Sequence, residues 1–372
     1  MTSVQRALRL LIIGSGRRVQ NNYLPCLTSL QNEFQIVGIH SRTKEKLLPV
    51  ADKWSIDPIL NLNDVDFSKI DVVSIWVPTS QNAIVLKQLL PFAKNLTIII
   101  DTPIAGNKAE AEAVLELFPQ FKKVTVTEDY MNFPTFNLLR QAVRDGAIGQ
   151  VKGLVLSNIG YLYHGLALIR SFSGFSSIVA AREYKLGSGI HSAVSYFFPD
   201  KMRATVIGPY LGHHLGVGDI IVEGTTGAIS TNIAEVHTNS YGKPTYHLEV
   251  QSNEKGDTIG AKIKTSSRVY EASFHDVIAM RTLQFSDKSN MNLERGAGLA
   301  EVFRYVAGHR NINSGYGYKH AIYDSFASRA ALSGKKDLDP FNLLKQPWAF
   351  INKNKDRGHI SCAKFKIEFL DH

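Results

Sequence analysis

The chain has 372 residues, of which 44% are hydrophobic and 20% charged, as expected of a globular protein with one or two domains. No apolar run reaches the roughly 18–20 residues that span a membrane, and the N-terminal apolar run is too short for a signal peptide. The two cysteines lie far apart and suggest neither a disulfide framework nor a metal site, so a cytoplasmic protein is expected. The net charge of +9 comes from scattered lysines and arginines, which suits an anionic cofactor or substrate better than nucleic acid.

The first part of the chain alternates apolar strands with amphipathic helices. The pattern predicts strands at 8–14, 34–41, 71–78, 96–101 and 122–129, and helices at 21–32, 43–55, 81–94 and 108–121. Continuous apolar strands that alternate with helices are typical of a parallel, doubly wound sheet. We therefore expect an α/β domain of the Rossmann type over residues 1–126.

The pattern changes after residue 126. A helix is predicted at 136–149, a strand at 150–160 and an apolar helix at 161–174; β-rich segments without long helices then follow until a late helix at 319–334 and a strand at 362–370. Glycine-rich turns separate these segments, which favours a large open sheet of mixed or antiparallel strands. The sequence thus predicts a second, α+β domain over residues 127–372.

A glycine motif follows the first strand. Gly14 and Gly16 fit the first two positions of the G-x-G-x-x-G dinucleotide fingerprint, and Val19 stands at the third. The first glycine permits a tight turn and the second lets the backbone approach a pyrophosphate, whereas the third serves helix packing. A plain glycine turn would look similar, but the position between a strand and a helix favours a nucleotide site.

The end of the second strand indicates which dinucleotide. An NAD site would place Asp or Glu there to bind the ribose 2′-hydroxyl, but this chain has Ser41, Arg42 and Thr43. A carboxylate would repel a 2′-phosphate, whereas a hydroxyl and a guanidinium bind one. With Arg17 and Arg18 adding positive charge, the sequence favours NADP(H) over NAD(H).

The order of the motifs carries a family resemblance. "GSGRRVQNNYLPCL", "WVPTSQN", "IIIDTPIAGN", "LLRQAVRDGAIGQVKGL" and "DIIVEGTTGAIS" follow one another as in the glucose–fructose oxidoreductase/inositol dehydrogenase (Gfo/Idh/MocA) family, which this chain resembles over about residues 8 to 335. The resemblance implies a Rossmann domain, an α/β domain with an open sheet that forms homodimers or homotetramers, and hydride transfer, usually on sugars or cyclic polyols.

The resemblance also implies positions for the active site. Asp101, Thr102 and Pro103 stand where the family has its E-K-P motif, so a threonine replaces the lysine that helps to deprotonate the reacting carbinol. The family's P-N-x-x-H run becomes 78–82 here and loses its histidine, leaving Pro78, Thr79 and Asn82 as expected cofactor contacts.

The family's D-x-G-x-H motif maps best onto residues 160–164, where only His164 survives; a rival alignment uses His191. A missing lysine and a shortened segment before this helix are similar to the branches of thiazolinyl imine reductases and biliverdin reductase, which reduce C=N or conjugated C=C groups on flat substrates. Such reductions need a hydride and one proton donor.

Several side chains are candidates for that donor. His164 has a reference pKa near neutrality, although a histidine on an apolar helix face can equally be a core residue. Tyr130 and Asp129 lie where the family's domain junction meets the nicotinamide; the remaining candidates for substrate contact are Tyr161, Tyr163, Tyr323 and Arg329. His213 and His214, with Asp219, do not predict a metal, because adjacent strand residues point to opposite faces.

Three hypotheses follow. The leading one is an NADP(H)-dependent biosynthetic reductase that takes its proton from His164 or Tyr130, with hydride delivered beside Thr102. The second is a dehydrogenase or reductase of an amino- or keto-sugar. The third, of another class, is a redox-inactive NADP(H)-binding or partner-binding module.

Overall fold

The computed structural model describes most of the chain, and its contacts divide the chain into two compact units. The units are Met1–Asp129 with Ala279–Ile322, and Tyr130–Ile278 with Tyr323–His372. The described residues are 6–186, 191–208, 217–231, 237–238, 242–281, 283, 289–309, 316–333, 349–352 and 360–365.

The first unit contains a parallel sheet, six-stranded over the residues that the structure describes, with strand order β3-β2-β1-β4-β5-β6. Its strands are apolar because both faces are covered, as the alternation of strands and helices predicts. The expected doubly wound sheet is confirmed. The strands are β1 (Leu8–Ile13), β2 (Phe34–His40), β3 (Pro58–Ile59), β4 (Val72–Ile75), β5 (Thr97–Asp101) and β6 (Lys123–Thr127).

Helices connect these strands. The first begins as a π-helical turn (Val19–Tyr23) and continues as α1 (Leu24–Thr28); the others are α2 (Lys44–Trp54), α3 (Thr79–Leu89) and α4 (Lys108–Leu117). The last begins with a reciprocal cap, in which the Glu110 amide donates to Asn107 Oδ1 and the Gly106 amide to Glu110 Oε2. Short 3-10 turns lie at Leu62–Asp64, Phe67–Lys69, Leu90–Phe92 and Phe118–Gln120.

The second unit contains a mixed sheet, twelve-stranded over the described residues, in the order β16-β15-β14-β12-β11-β7-β10-β9-β8-β18-β17, with β13 paired to β14. This agrees with the expected large open sheet. Its strands are β7 (Val151–Ser157), β8 (Ala180–Leu186), β9 (His191–Phe197), β10 (Arg203–Ile207), β11 (Asp219–Gly224), β12 (Ala228–Ser230), β13 (His237–Thr238), β14 (Pro244–Ser252), β15 (Thr258–Lys264), β16 (Val269–Ser273), β17 (Ala349–Asn352) and β18 (Ile360–Phe365).

The later part of the chain holds more helix than the sequence predicts. Besides a 3-10 turn (Tyr130–Asn132), α5 (Pro134–Arg144), α6 (Leu162–Ser171) and α9 (Tyr318–Ser333), the structure has α7 (His275–Met280) and α8 (Asn290–Val306). The expectation that no long helix lies between 176 and 319 is therefore wrong at α8. Glycines at 296 and 298 weaken its helix signal in the sequence.

α8 belongs to the first unit, where it packs beside β6 and α1. Phe303 lies edge-on against Phe34, and the Lys123 ammonium lies over the Tyr305 ring. None of the described helices is long and apolar enough to cross a bilayer.

Candidate cofactor and active site

A cavity of about 550 Å³ opens at the carboxyl ends of the strands of the first unit. In doubly wound folds this edge of the sheet is where dinucleotides bind. The cavity is lined by Ile13, Gly14, Ser15, Gly16, His40, Ser41, Arg42, Thr43, Lys46, Leu60, Asn61, Leu62, Asn63, Trp76, Val77, Pro78, Gln81, Ile84, Val85 and Gln88.

The two motif positions favour glycine for different structural reasons. Gly14 has φ +121°, and a Cβ there would lie 2.3 Å from the Trp76 carbonyl oxygen, so the turn closes tightly against the end of β4. A Cβ on Gly16 would meet no atom within 4 Å. Gly16 thus leaves open space beside exposed backbone, which is the geometry that a pyrophosphate needs. The turn fits a dinucleotide.

Basic side chains line the part of the cavity at the end of β2. The Arg42 guanidinium donates to Gln81 Oε1 at 2.9 Å, and Lys46 lies on the first turn of α2. Of the lining residues in the described part of the chain, none is Asp or Glu. The local charge is therefore positive where the ribose 2′ position is expected.

Two aromatic rings support the turn. Tyr23, in the π-helical turn, stacks on Trp76 with ring centroids 3.5 Å apart. The Trp76 indole N–H donates to Ser74 Oγ. This packing fixes the tryptophan ring at the cavity wall.

Asp101, at the end of β5, anchors the helix that follows the glycine turn. Its carboxylate accepts from Arg18 Nε at 2.7 Å, from Arg18 Nη2 at 3.1 Å, from the Tyr23 hydroxyl at 2.6 Å and from Thr127 Oγ1 at 3.0 Å. Arg18 therefore lies against Asp101 and not at the basic side of the cavity, where the sequence led us to expect it. The Asp101 carboxylate is thus engaged by side chains of this unit.

A second carboxylate at the end of β6 shares Arg18. Asp129 forms ion pairs with Arg18 Nη2 at 3.2 Å and with Arg295 Nε of α8 at 3.4 Å. Its side chain is only 2% exposed, so the two guanidinium groups compensate a buried charge.

Glu128, next to Asp129, is buried with no exposed surface and pairs with Thr102. Thr102 Oγ1 donates to Glu128 Oε2 at 3.3 Å. Burial raises the pKa of the Glu128 carboxyl well above its usual range, and the negative charge of Asp129 raises it further. The residue in the lysine position of the resembled motif therefore contacts a carboxyl whose neutral form is favoured.

The remaining residues that the sequence predicts as cofactor contacts lie partly in the cavity wall and partly outside it. Arg17 is exposed and Val19 is buried. Asn82 Nδ2 donates to the Ile104 carbonyl at 2.8 Å, and Thr79 is the first residue of α3. Pro103 follows a cis peptide bond. Among the expected contacts, those in the cavity wall are Gly14, Gly16, Ser41, Arg42, Thr43 and Pro78.

In the second unit, aromatic rings surround His164 on α6. Its ring lies 4.2 Å from that of Tyr163 and 5.7 Å from that of Tyr161, centroid to centroid. Tyr130 is also near, with its ring centroid 6.3 Å away, and its hydroxyl donates to the Val217 carbonyl at 2.7 Å. His164 is 4% exposed, as either a core residue or a catalytic residue could be.

The two remaining candidates for substrate contact, Tyr323 and Arg329, make contacts within the second unit. The Tyr323 hydroxyl accepts from the Ile178 amide at 2.9 Å, and the Arg170 guanidinium lies over the Tyr323 ring. Arg329 lies over the Phe326 ring. The side chain of His191, and both His213 and His214, fall outside what the structure describes.

Sequence reasoning missed several residues of the site. Lys46 lies four residues after Arg42, and Gln81 lies three residues after Pro78. Residues at these spacings share a helix face, so the spacing could have indicated that both line the cavity. Glu128 and Arg295 had no local signal, because their neighbours come from other strands and from α8.

Comparison with known families gives a match over the part of the chain that holds the cavity. Residues 8–130 match the GFO_IDH_MocA model, described as "Oxidoreductase family, NAD-binding Rossmann fold". These residues are thus similar to the NAD-binding Rossmann domain of that family. A search of curated proteins finds no match.

Similar solved structures share the fold at low identity. An oxidoreductase from Thermotoga maritima is 16% identical with a TM-score of 0.62, covering 91% of this chain and 100% of that one. Levoglucosan dehydrogenase in complex with NADH and levoglucosan is 12% identical with a TM-score of 0.62, covering 88% and 97%. UDP-N-acetylglucosamine 3-dehydrogenase from Acidithiobacillus ferrooxidans is 14% identical with a TM-score of 0.59, covering 88% and 98%.

Proposed function

We propose that the chain is an NADP(H)-dependent oxidoreductase of the Gfo/Idh/MocA type that works as a biosynthetic reductase of an imine or another C=N, C=O or C=C group. The observation that carries this proposal is Thr102, which bonds to a buried carboxyl where the resembled family has a lysine. A threonine hydroxyl provides no ammonium charge to assist oxidation of a carbinol. Reduction of an unsaturated group needs only a hydride and a proton.

The choice of NADP(H) rests on the charge at the end of β2. Arg42 and Lys46 face the cavity, and Ser41 and Thr43 add hydroxyl groups. These groups suit a 2′-phosphate, whereas an NAD site would use a carboxylate there. The Arg42–Gln81 hydrogen bond holds the guanidinium at the cavity.

When bound, the reduced nicotinamide would supply the hydride. The chain would hold the cofactor with the glycine turn and the basic side chains, and we place the reacting substrate beside Thr102. His164 or Tyr130 would supply the proton, with Asp129 close to the reacting groups. The sheltered His164 and its ring neighbours support this assignment.

Two tyrosines beside His164 support the proposed substrate class. The rings of Tyr161 and Tyr163 lie 5.5 Å apart, and that of Tyr161 is 40% exposed. Aromatic rings at an exposed surface suit a flat, conjugated substrate. This agrees with the divergent branch that resembles thiazolinyl imine reductases and biliverdin reductase.

A dehydrogenase or reductase of an amino- or keto-sugar is the second candidate. Two structures with the same fold are named for sugar substrates, levoglucosan and UDP-N-acetylglucosamine. The third candidate is a redox-inactive NADP(H)-binding or partner-binding module, since the threonine at 102 also fits a site that has lost its chemistry.

We assign cofactor binding to residues 1–126 and substrate binding and oligomerisation to residues 127–372. A homodimer or homotetramer through the open sheet is proposed, because Val155 and Ile221 are cross-strand neighbours and both are exposed on that sheet. We place the protein in the cytoplasm, where NADPH is available for biosynthesis.

Cofactor preference is tested by fluorescence titration of the full chain with NADPH and NADH. We expect NADPH to bind at least about tenfold more tightly, the ratio that corresponds to one charge-assisted contact of about 1.4 kcal/mol. Equal affinities would contradict the assignment of the 2′-phosphate to the Arg42 region.

Activity is tested by following NADPH oxidation with a cyclic imine (2-methyl-1-pyrroline), a keto-sugar (3-keto-glucose) and a tetrapyrrole (biliverdin). Oxidation with the imine or the tetrapyrrole supports the reductase, and oxidation with the keto-sugar supports the second candidate. Tight NADPH binding without oxidation favours the binding module. If His164 is the donor, a His164→Ala variant should lose turnover and keep its NADPH affinity; unchanged turnover removes His164 from the mechanism.

A further inference from the structure

We infer that Glu128 and Thr102 form the proton relay for the reduction, in place of His164 or Tyr130 as the donor; the Glu128 carboxyl is the source and the Thr102 hydroxyl is the group that contacts the substrate. The inference rests on the proposed function, because a relay has a use only if the enzyme reduces a substrate. It assigns a role to Glu128, which no sequence motif indicates.

The sheet brings the two residues together. β5 and β6 pair in parallel, with Asp101 opposite Thr127, so Thr102 and Glu128 are the next residues on adjacent strands. Their side chains meet at 3.3 Å between Thr102 Oγ1 and Glu128 Oε2. Glu128 is fully buried and Thr102 is 7% exposed, so the threonine lies on the outer side of the pair.

The position of this pair in the sheet suits hydride chemistry. The glycine turn and the basic side chains lie at β1 and β2, whereas Thr102 and Glu128 lie at β5 and β6, in the other half of the sheet. In dinucleotide-binding folds the two halves hold the two nucleotides. With the 2′-phosphate at β2, the nicotinamide half falls at the Thr102 side.

The charges around Glu128 favour its neutral form. Asp101 and Asp129 are both close, and the guanidinium of Arg18 is bonded to those two carboxylates. Arg295 also pairs with Asp129. The pKa of Glu128 is raised by burial first and by the charge of Asp129 second, and the Arg18 cation acts in the opposite direction. A neutral carboxyl can donate its proton to a hydroxyl.

The step balances without a further reagent. The Thr102 hydroxyl, which donates to Glu128 Oε2 in the structure, turns toward the substrate. Thr102 Oγ then gives its proton to the substrate nitrogen or oxygen while the adjacent carbon receives the hydride, so C=N becomes CH–NH and NADPH becomes NADP⁺. The Glu128 O–H bond breaks as its proton passes to Thr102 Oγ, which leaves the Glu128 carboxylate. A proton from solvent, the one that the net reduction consumes, then returns through Thr102 Oγ to the buried Glu128 carboxylate. The relay supplies what a threonine, which does not titrate near neutrality, lacks by itself.

The experiment compares Glu128→Gln and Thr102→Val with Thr102→Ser in the full chain, using whichever of 2-methyl-1-pyrroline, 3-keto-glucose and biliverdin the wild type turns over. We expect the first two variants to lose about 10²–10⁴-fold in kcat, the usual contribution of a positioned acid. NADPH affinity should stay within about twofold, since the glycine turn and the basic side chains that hold the phosphates lie in the other half of the sheet. The Thr102→Ser variant should keep most of the activity, because the hydroxyl remains.

Two further measurements separate a relay from a merely structural role. The Glu128→Gln/Thr102→Val double variant should be no slower than either single variant, because both remove the same path. Infrared spectroscopy at neutral pH should show a protonated carboxyl band that Glu128→Gln removes and Glu301→Gln keeps. Glu301, which pairs with Arg304 at 3.2 Å, is the matched buried control.

The outcomes distinguish this inference from the proposed function. Wild-type turnover with full activity in Glu128→Gln overturns the relay alone, as does full activity in Thr102→Val or the absence of the infrared band. No NADPH oxidation by the wild type with any of the three probes overturns the proposed function and the relay together. If Glu128→Gln does not fold, the contrast between Thr102→Val and Thr102→Ser decides.

Discussion

Arg42 is the side chain on which the proposed cofactor preference depends. It stands at the end of β2, where a carboxylate would select NAD, and Gln81 accepts a hydrogen bond from its guanidinium. A guanidinium held by a neighbour loses less side-chain entropy when it binds a phosphate. Lys46 adds a second cation on the first turn of α2.

Substitution of Arg42 by alanine should therefore act on one cofactor only. We expect Arg42→Ala to weaken NADPH binding by about 10- to 100-fold, the equivalent of one charge-assisted hydrogen bond, and to leave NADH binding within about twofold. Fluorescence titration measures both. Lys44→Ala is the matched control, since Lys44 is exposed nearby on α2 and is not among the residues that line the cavity. Equal losses for the two cofactors would contradict the assignment.

The buried Glu128 gives a second expectation at the residue scale, on stability. Its pKa is raised in the folded chain by burial and by Asp129, whereas in the unfolded chain it is near the ordinary value of about 4.3. Below that pH both states keep the proton and the residue costs nothing. As pH rises above it, the unfolded chain releases the proton first, so the folded state loses about 1.4 kcal/mol per pH unit until the folded pKa is reached.

Glu128→Gln removes this dependence, because an amide stays neutral. We expect the variant to be more stable than the wild type at pH 7, with a stability difference that shrinks as the pH falls toward 4. Thermal unfolding of both proteins across that range measures the difference. A difference that does not change with pH would show that Glu128 is already ionised in the folded chain.

At the scale of elements, the turn from β1 into the first helix combines two demands. The Gly14 backbone must pass close to the end of β4, and Gly16 must leave space beside the turn. Tyr23 and Arg18 then fix the helix to Trp76 and Asp101. The turn is thus held from both sides before any cofactor binds.

Alanine at the two glycines should separate folding from binding. Gly14→Ala places a Cβ 2.3 Å from a backbone oxygen at a positive φ, so we expect a loss of stability of about 1–3 kcal/mol. Gly16→Ala meets open space and should fold as the wild type does, but its methyl group occupies the space that a pyrophosphate needs. NADPH affinity should therefore fall at least about tenfold in Gly16→Ala. Thermal melting and NADPH titration check the pair; wild-type affinity in Gly16→Ala would contradict the pyrophosphate site.

The same elements show how much the sequence could predict. Five of the six described strands of the first sheet were predictable because they read as continuous apolar runs. The two-residue β3 was not predicted, because it is too short to show a pattern. Gly14, Gly16 and Arg42 were predictable because strand ends place them by local motif. Glu128 was not predictable, since its neighbour Thr102 comes from another strand, and its burial depends on the assembled sheet.

Helix α8 was missed for two physical reasons. Its glycines lower the local helix propensity, and its packing partners are far away in the sequence. Phe34 lies some 270 residues before its partner Phe303 on α8, and Asp129 forms an ion pair with Arg295 of α8. The residue pattern of one segment carries no information about such distant partners. The return of the chain to the first unit could therefore not be predicted from the sequence of α8 alone.

At the scale of the whole molecule, the second unit leaves part of its sheet open. β7 and β11 lie in the middle of the strand order, and Val155 on one strand is paired with Ile221 on the other. These side chains are 36% and 38% exposed, whereas their neighbours along the strands, Leu154 and Val222, are buried. An apolar pair at the centre of an exposed sheet face favours burial against another surface.

A charged residue at this position should prevent self-association. We expect the wild type to sediment as a dimer or tetramer and Ile221→Lys to sediment as a monomer, because two facing lysines repel each other and remain unsolvated in a closed interface. Leu48→Lys is the matched control, since Leu48 is 39% exposed on α2 of the first unit and a lysine there should leave assembly unchanged. Sedimentation velocity over a range of concentrations measures the mass, and NADPH titration of the monomer checks that the cofactor site survives. A wild type that stays monomeric, or an Ile221→Lys variant that still associates, would contradict the open sheet as the interface.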